Sequence, residues 1–297
     1  MSQFSPTDAG LVGFRLTRQN PRTVIAWAVL MLVSGVLTLI ILGAMAGPAM
    51  AELRAASQSA QPDIEAMSAA WQKMTPAYLV TMLVSMVFAG VLNASAARMV
   101  LRPQAGGPIG HVRFGADEVR QIILVLIFNL ILLGVAVAAG VFVGLLIAIG
   151  GVTGGFLGGL LAFVIGIPTM VLVSIRLSLA TALTFETERI ALGEAWRLTT
   201  GHFWNLFVAF LIAWIMAIIV AMLGLAVSLG VVAVVFGFEG VGQATAPAMT
   251  SIGSLFNAPL VVYQVLMSGF AALFYINVLT PGPAIYAQLK GQTTVFD

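Results

Sequence analysis

The sequence predicts an all-α polytopic membrane protein with six transmembrane helices, arranged as three helical hairpins. Hydrophobic residues make up 60% of the 297 residues and charged residues 8%, whereas roughly a quarter of an ordinary soluble domain is charged. The mean hydropathy is +1.07. Six apolar runs reach the roughly 18 residues that a helix needs to cross the hydrocarbon core. The basic residues also lie almost entirely in alternate segments between these runs, which are the segments on one side of the membrane.

The six runs define the predicted spans of a single membrane domain, 1–297. They are 24–46, 77–100, 121–149, 155–175, 205–236 and 255–279. The first is longer than the core of a secretory signal and follows a polar leader, which favours a retained span over a cleaved one. The fifth is too long for an upright helix, so we expect it to tilt, to break near Gly224 or Gly230, or to continue into the outer loop.

Cytoplasmic loops of membrane proteins retain Lys and Arg, and this fixes the predicted orientation. With the N-terminus inside, only Arg54 and Lys73 lie outside. The inner side then holds Arg15, Arg18, Arg22, Arg98, Arg102, Arg113, Arg120, Arg176, Arg189, Arg197 and Lys290. We therefore expect both termini to be cytoplasmic, in the cytoplasmic (inner) membrane of a bacterium.

An aromatic residue followed by Arg-Leu-Thr precedes both the first and the fifth span. Phe14 to Thr17 match Trp196 to Thr199. The spacing around Trp196 predicts an amphipathic helix in the membrane interface, with Glu194 pairing with Arg197 on its polar face. Gly201 is expected to end that helix, and aromatic residues after it to anchor the chain at headgroup depth. The residues proposed to meet lipid headgroups are Arg15, Arg197, Trp196 and Trp204.

The segment "RLSLATALTFETERIALGEAWRLTTGHFW" resembles the bacterial membrane domain that is fused to some glycerophosphoryl diester phosphodiesterases and also forms stand-alone six-helix proteins. The residues that carry the resemblance are Arg176, Leu177, Ser178, Glu186, Glu194, Ala195, Leu198, Thr199, Gly201 and Trp204. "GFRLTRQNP", "FGADEVRQI" and "PAIYAQLKG" are similar too. The resemblance implies a six-helix membrane fold. The catalytic barrel is missing, so phosphodiesterase activity does not carry over.

The residues themselves favour no enzyme. The sequence has no phosphate-binding Gly-Lys loop, dinucleotide fingerprint, zinc-protease motif or nucleophile elbow. It has no cysteine, and its two histidines, His111 and His202, are expected to be solvated residues of different loops. We expect no cofactor and no metal. The thirteen basic residues are too scattered to follow a nucleic acid backbone.

Four uncharged polar residues fall inside the predicted spans, where we expect no buried charge: Asn93, Asn129, Gln264 and Asn277. They either hydrogen-bond between helices or line a pore. Pro168 is expected to kink the fourth span. The glycine-rich run 150–159 predicts a tight outer turn, with Gly140 and Gly144, or Gly155 and Gly159, packing the third span against the fourth.

The remaining segments are short, and neither is large enough for a domain. Residues 47–76 are expected to form small helices or loop outside, and 102–115 a flexible inner linker. The best-supported function is a membrane module that interacts with lipids or with other membrane proteins. The alternative is a passive or weakly coupled carrier of a small amphiphile, with Asn129 and Gln264 as selectivity groups. The sequence leaves the oligomeric state open.

Overall fold

The computed structural model describes residues 5–58, 63–245 and 255–291. Helices occupy most of these residues, and no strand occurs among them. The helices are α1 (Pro6–Gln19), α2 (Pro21–Gln58), α3 (Ile64–Leu101), α4 (Ala116–Leu161), α5 (Ile167–Arg176), α6 (Ala180–Thr187), α7 (Leu192–Leu198), α8 (Phe203–Thr245), α9 (Ala258–Leu279) and α10 (Pro281–Leu289). A short 3₁₀ turn, Pro103–Ala105, and a π-helical segment, Ala162–Gly166, complete the described structure.

Among the residues that the structure describes, five helical stretches are long and apolar enough to cross a membrane. They are Pro21–Ser57, Ile64–Leu101, Ala116–Thr187, Phe203–Thr245 and Ala258–Leu289. The protein is therefore a multi-pass helical membrane protein, as its composition predicts. The stretch that contains the predicted third and fourth spans is counted once, because only glycine Gly151 separates its two arms.

The chain reverses direction at Gly151, whose backbone has φ 57° and ψ −139°. A Cβ atom built on Gly158 would lie 3.2 Å from the Cα atom of Val143. These residues are 15 positions apart, which in a straight helix corresponds to about 22 Å. The two arms of α4 are therefore antiparallel neighbours, joined by the tight turn that the glycine-rich run predicts.

The glycines that bring these arms together differ in part from the predicted ones. Cβ atoms added to Gly154 and Gly155 would meet Leu146 and Ile147 of the other arm. Gly140, Gly144 and Gly159 have no heavy atom within 4 Å of the added Cβ. The prediction that Gly140 and Gly144 pack the two spans together is wrong, because neither position lies against the other arm.

The predicted outer segment 47–76 is also different from the expectation. Helix α2 continues through Pro48 to Gln58, and α3 begins at Ile64, so most of the segment extends two long helices. Lys73 donates to Glu52 over 2.6 Å, which ties the extensions together. Ala, Glu, Gln and Met dominate here, and these are strong helix formers.

The fifth predicted span is one helix up to residue 236, and it breaks at neither Gly224 nor Gly230. The break is at Gly237, where φ is 72°. Gly224 has a different role, because a Cβ there would lie 2.5 Å from the Cβ atom of Phe270 on α9. That glycine lets α8 and α9 approach closely. Pro168 follows the π-helical segment, so the expected disturbance of the fourth span is a local π-bulge.

Helix α1 is docked on protein rather than resting only on the bilayer. Its buried face includes Val12 and Leu16. A Cβ on Gly10 would lie 2.9 Å from the Ala209 carbonyl oxygen of α8, and one on Gly13 would lie 2.7 Å from the Cα atom of Asn277 on α9. These two glycines allow α1 to pack closely against both helices, and they fix its position on α8 and α9.

The two Arg-Leu-Thr segments have matching local structure. Thr17 donates its hydroxyl to the Gly13 carbonyl over 2.9 Å, near the end of α1. Thr199 donates to the Ala195 carbonyl over 3.0 Å, just after α7. In both cases the chain then turns into a long apolar helix. The repeated sequence therefore marks the same kind of junction, a short amphipathic helix that ends before a span.

Candidate functional site

An apolar cavity of about 580 Å³ lies between α3, α4, α5, α6, α8 and the α9–α10 junction. Its walls come from Leu124, Val125 and Phe128 of α4 and from Phe207, Phe210, Leu211 and Trp214 of α8. These residues lie within about the first four turns of each helix, counted from its N-terminal end. On the predicted topology, the cavity is in the inner half of the membrane.

A few polar groups interrupt the apolar wall. Asn93, Ser174, Ser178 and Thr181 line the cavity. Ser178 donates its hydroxyl to the Ile175 carbonyl, and the Thr181 carbonyl accepts from Gln121. Asn93 makes no side-chain hydrogen bond with the part of the chain that the structure describes. Its amide is therefore available inside an otherwise apolar space.

An aromatic cluster holds Arg176 beside this cavity. The guanidinium carbon of Arg176 lies 5.8 Å from the ring centroid of Trp196 and 6.0 Å from that of Phe203. Phe203 stacks on Phe207, a residue of the cavity wall, with 6.2 Å between centroids. Thr199 donates its hydroxyl to the Arg176 carbonyl over 3.1 Å. The cluster places a cation next to the apolar cavity, which is the pairing that an amphiphilic ligand requires.

The four residues predicted to meet headgroups lie in different surroundings. Trp196 belongs to the Arg176 cluster and is half-exposed, and Trp204 is exposed and packs edge-to-face on Phe203. Arg197 is exposed and Arg15 is half-buried. The predicted pair between Glu194 and Arg197 is wrong: Glu194 pairs with Arg189 at 2.5 Å. The left-handed backbone of Glu188 turns the chain there and brings Arg189 beside the start of α7.

The four predicted intramembrane polar residues do not form one site. Asn129 donates to the Val125 carbonyl of its own helix, and Asn277 donates to the Leu273 carbonyl. Gln264 packs against Gly35, where α9 meets α2. Only Asn93 lines the apolar cavity. Asn129 and Asn277 therefore act within their own helices, and Gln264 lies at a helix contact that borders a smaller apolar pocket of about 150 Å³. Of the four, only Asn93 reaches the cavity of about 580 Å³.

A buried ion network joins the C-terminal end of α3 to the N-terminal end of α4, and the sequence alone does not predict it. Arg98 pairs with Glu118 at 2.7 Å, and the two side chains are 5% and 3% exposed. Arg98 also lies 3.4 Å from Asp117, which pairs with Arg120 at 2.7 Å. Arg98 had been expected only to set topology. The signal was the acidic pair at the start of α4, but the sequence does not show that a charge on α3 lies opposite it.

His111 is buried, so the prediction of a solvated loop histidine is wrong. Thr23 and His111 Nδ1 share a 3.0 Å hydrogen bond, Nε2 lies 3.1 Å from the Pro103 carbonyl oxygen, and Arg98 donates to the His111 carbonyl over 2.7 Å. Burial lowers the pKa of His111 below 6.5. The hydrogen bond with Pro103 raises this pKa, and the charges of Arg98 and Arg113 lower it further. These bonds hold the segment 102–115 in place, so it is not the flexible linker that its composition predicts.

A second polar link connects α6 to the chain after α9. Glu186 accepts hydrogen bonds from the Tyr286 hydroxyl and from Lys290, the latter over 2.9 Å. Hydrogen bonding with Tyr286 and then with Glu186 raises the pKa of Lys290. Glu186 is one of the residues in the family resemblance, and here it links α6 to α10 and to the residue that follows α10.

No family model, curated protein or solved structure matches this chain. Within residues 5–58, 63–245 and 255–291, no group of three or more His, Asp or Glu side chains is placed to hold a metal ion. The function therefore has to be argued from the cavity, the Arg176 cluster and the inner ion network.

Proposed function

We propose that this protein is a lipid-interacting membrane module without catalytic activity, located in a bacterial inner membrane. The observation that carries the proposal is the apolar cavity beside Arg176. Its volume of about 580 Å³ is within the range of pockets that hold small amphiphiles. Such pockets combine apolar walls with a few polar groups, and here Asn93 and the Arg176 cluster supply the polar end.

The Arg176 cluster favours a ligand with an anionic or strongly polar head. A cation held by aromatic rings near a membrane surface attracts anionic lipids, with about 1 kcal/mol per basic residue. The ligand would place its apolar part along Leu124 and Phe207 and its head beside Arg176. Trp196, which packs on Arg176, would then lie beside the head of the ligand.

The experiment fills the cavity with a larger side chain. Leu211 lines the cavity, whereas Ile215, one turn further along α8, does not, and both side chains are 45% exposed. We expect Leu211→Trp to reduce the amount of lipid that copurifies with the protein, as counted by native mass spectrometry, and Ile215→Trp to leave it unchanged. Equal retention in both variants would contradict the proposal.

We further propose six spans in three hairpins, with both termini cytoplasmic. The positive-inside distribution and the reversal at Gly151 support this topology. A reporter that is active only outside the cytoplasm should be inactive after Gly291 and active within 59–62. Activity after Gly291 would reject the proposed orientation. Membership of the phosphodiesterase membrane-domain family is proposed on the motif resemblance alone.

The carrier alternative is supported by one feature, the π-helical segment before Pro168, which interrupts the helix that leads into the cavity. Coupled transport needs a group that changes charge or binds the ion within the path. The charged network that the structure describes lies at the inner ends of the helices. We therefore expect no accumulation of headgroup compounds in reconstituted vesicles under an imposed proton or sodium gradient. Accumulation abolished by Asn93→Ala would favour the carrier.

A further inference from the structure

A second cavity, of about 340 Å³, lies where α3 ends and α4 begins, apart from the apolar cavity. Four arginine side chains line it: Arg98, Arg102, Arg113 and Arg120. Three carboxylates do so as well, which leaves one net positive charge. Some of these charges are neutralised by partners within the protein.

The carboxylates of the cavity are already paired. Glu118 and Asp117 accept from Arg98, and Asp117 also accepts from Arg120. Glu188 lies 3.6 Å from Arg120, and its side chain is 62% exposed. All of these ion pairs are made by Arg98 and Arg120, whose two charges offset two of the three carboxylates. Arg102 and Arg113 form no ion pair with the described residues, and they give the cavity its net positive charge.

Arg102 and Arg113 retain unused hydrogen-bond donors. The guanidinium carbon of Arg102 lies 4.9 Å from the ring centroid of Phe185, and no described acceptor receives a hydrogen bond from this side chain. Arg113 uses Nη2 to donate to the Ala105 carbonyl over 2.6 Å. A guanidinium stacked on an aromatic ring keeps its planar donor edge available for an oxyanion. The two side chains border the same cavity.

We propose that this cavity binds a phosphate group. Phosphate offers several acceptor oxygens to two guanidinium groups, and it forms paired hydrogen bonds with the arginine fork. Phe114 lines the cavity and is 73% exposed, which suits an aromatic side chain at headgroup depth. The phosphate comes from a lipid headgroup or from a soluble phosphate compound, and the two sources have the same recognition chemistry.

The test uses the full chain carrying Leu211→Trp, so that the apolar cavity does not contribute. Arg102→Gln removes the stacked guanidinium, and Arg18→Gln removes an exposed charge on the same predicted side of the membrane. Each protein is offered phosphatidylglycerol in mixed micelles and scored by native mass spectrometry. Each is also titrated, free of lipid, with inorganic phosphate.

We expect Arg102→Gln to weaken binding of at least one probe about tenfold, the effect of losing a charged hydrogen bond, and Arg18→Gln to weaken neither. Loss of phosphatidylglycerol alone identifies a lipid headgroup, and loss of inorganic phosphate identifies a soluble source. Arg102→Lys keeps the charge but loses the fork, so it should bind less than the parent. The proposal is overturned if Arg102→Gln leaves the binding of both probes unaltered. It is also overturned if Arg18→Gln reduces binding as much as Arg102→Gln does.

Discussion

Paired cysteines can test the reversal at Gly151 directly, because the natural chain contains none. In the structure, a Cβ on Gly158 would be 3.2 Å from the Val143 Cα atom, which places the two side chains within disulfide reach. If the glycine-rich run were part of one straight helix, the same two residues would be about 22 Å apart. No disulfide can bridge that distance within a chain. The double variant Val143→Cys, Gly158→Cys should therefore crosslink on mild oxidation.

The matched control has the same sequence separation. Gly144 and Gly159 are also 15 positions apart, but Cβ atoms built on them would meet nothing within 4 Å. Protease cleavage between the cysteines, followed by non-reducing electrophoresis, distinguishes joined arms from separate ones. We expect the first pair to hold the two fragments together and the Gly144→Cys, Gly159→Cys pair to release them. Fragments released in both cases would refute the antiparallel arrangement.

Three further predictions concern stability, measured as unfolding of the detergent-solubilised chain. Glu118→Leu should lower the free energy of unfolding by about 3–5 kcal/mol, because it leaves a buried guanidinium without its main partner. Glu52→Leu breaks an exposed pair and should lower it by about 0–1 kcal/mol. Similar losses in the two variants would contradict the assigned burial. The lowered pKa of His111 means that the unfolded chain binds more protons, so stability should fall as the pH drops below 6.5, by at most about 1.4 kcal/mol per pH unit. His111→Gln should flatten that dependence, and an unaltered slope would assign it to other groups. Gly154→Ala would place a methyl group 1.9 Å from the Leu146 carbonyl oxygen, so it should lower the free energy of unfolding by about 1–3 kcal/mol. Gly140→Ala should be neutral or stabilising. The reverse order of stabilities would argue against the contact.

The membrane fold is predictable from the sequence because the bilayer acts on local composition. A helix in hydrocarbon satisfies its own backbone, so a sufficiently long apolar run identifies a span without knowledge of its neighbours. The tight turn near Gly151 is predictable for a similar reason, since glycine adopts positive φ at little cost. The residues at which the two arms of α4 contact each other are not predictable from the sequence, because they depend on how far the arms diverge after the turn.

The inner polar features depend on contacts between distant parts of the chain. Arg98 and Glu118 lie 20 residues apart on different helices, and Thr23 and His111 lie 88 apart. Considered alone, Arg98 is interpreted as a residue that sets the topology, and His111 as a solvated loop residue. The apolar cavity is likewise absent from any sequence pattern, because it is the space left between helices that do not pack fully together.

The docking of α1 has a consequence for biogenesis. Gly13 is synthesised 264 residues before its contact residue Asn277. Translation at roughly 5–20 residues per second separates them by about 15–50 s. During that interval α9 is not yet present to cover its part of the apolar face of α1, and the membrane surface is the nearest apolar medium. The amphipathic character of α1 therefore serves two successive environments, first the lipid surface and then the groove formed by α8 and α9.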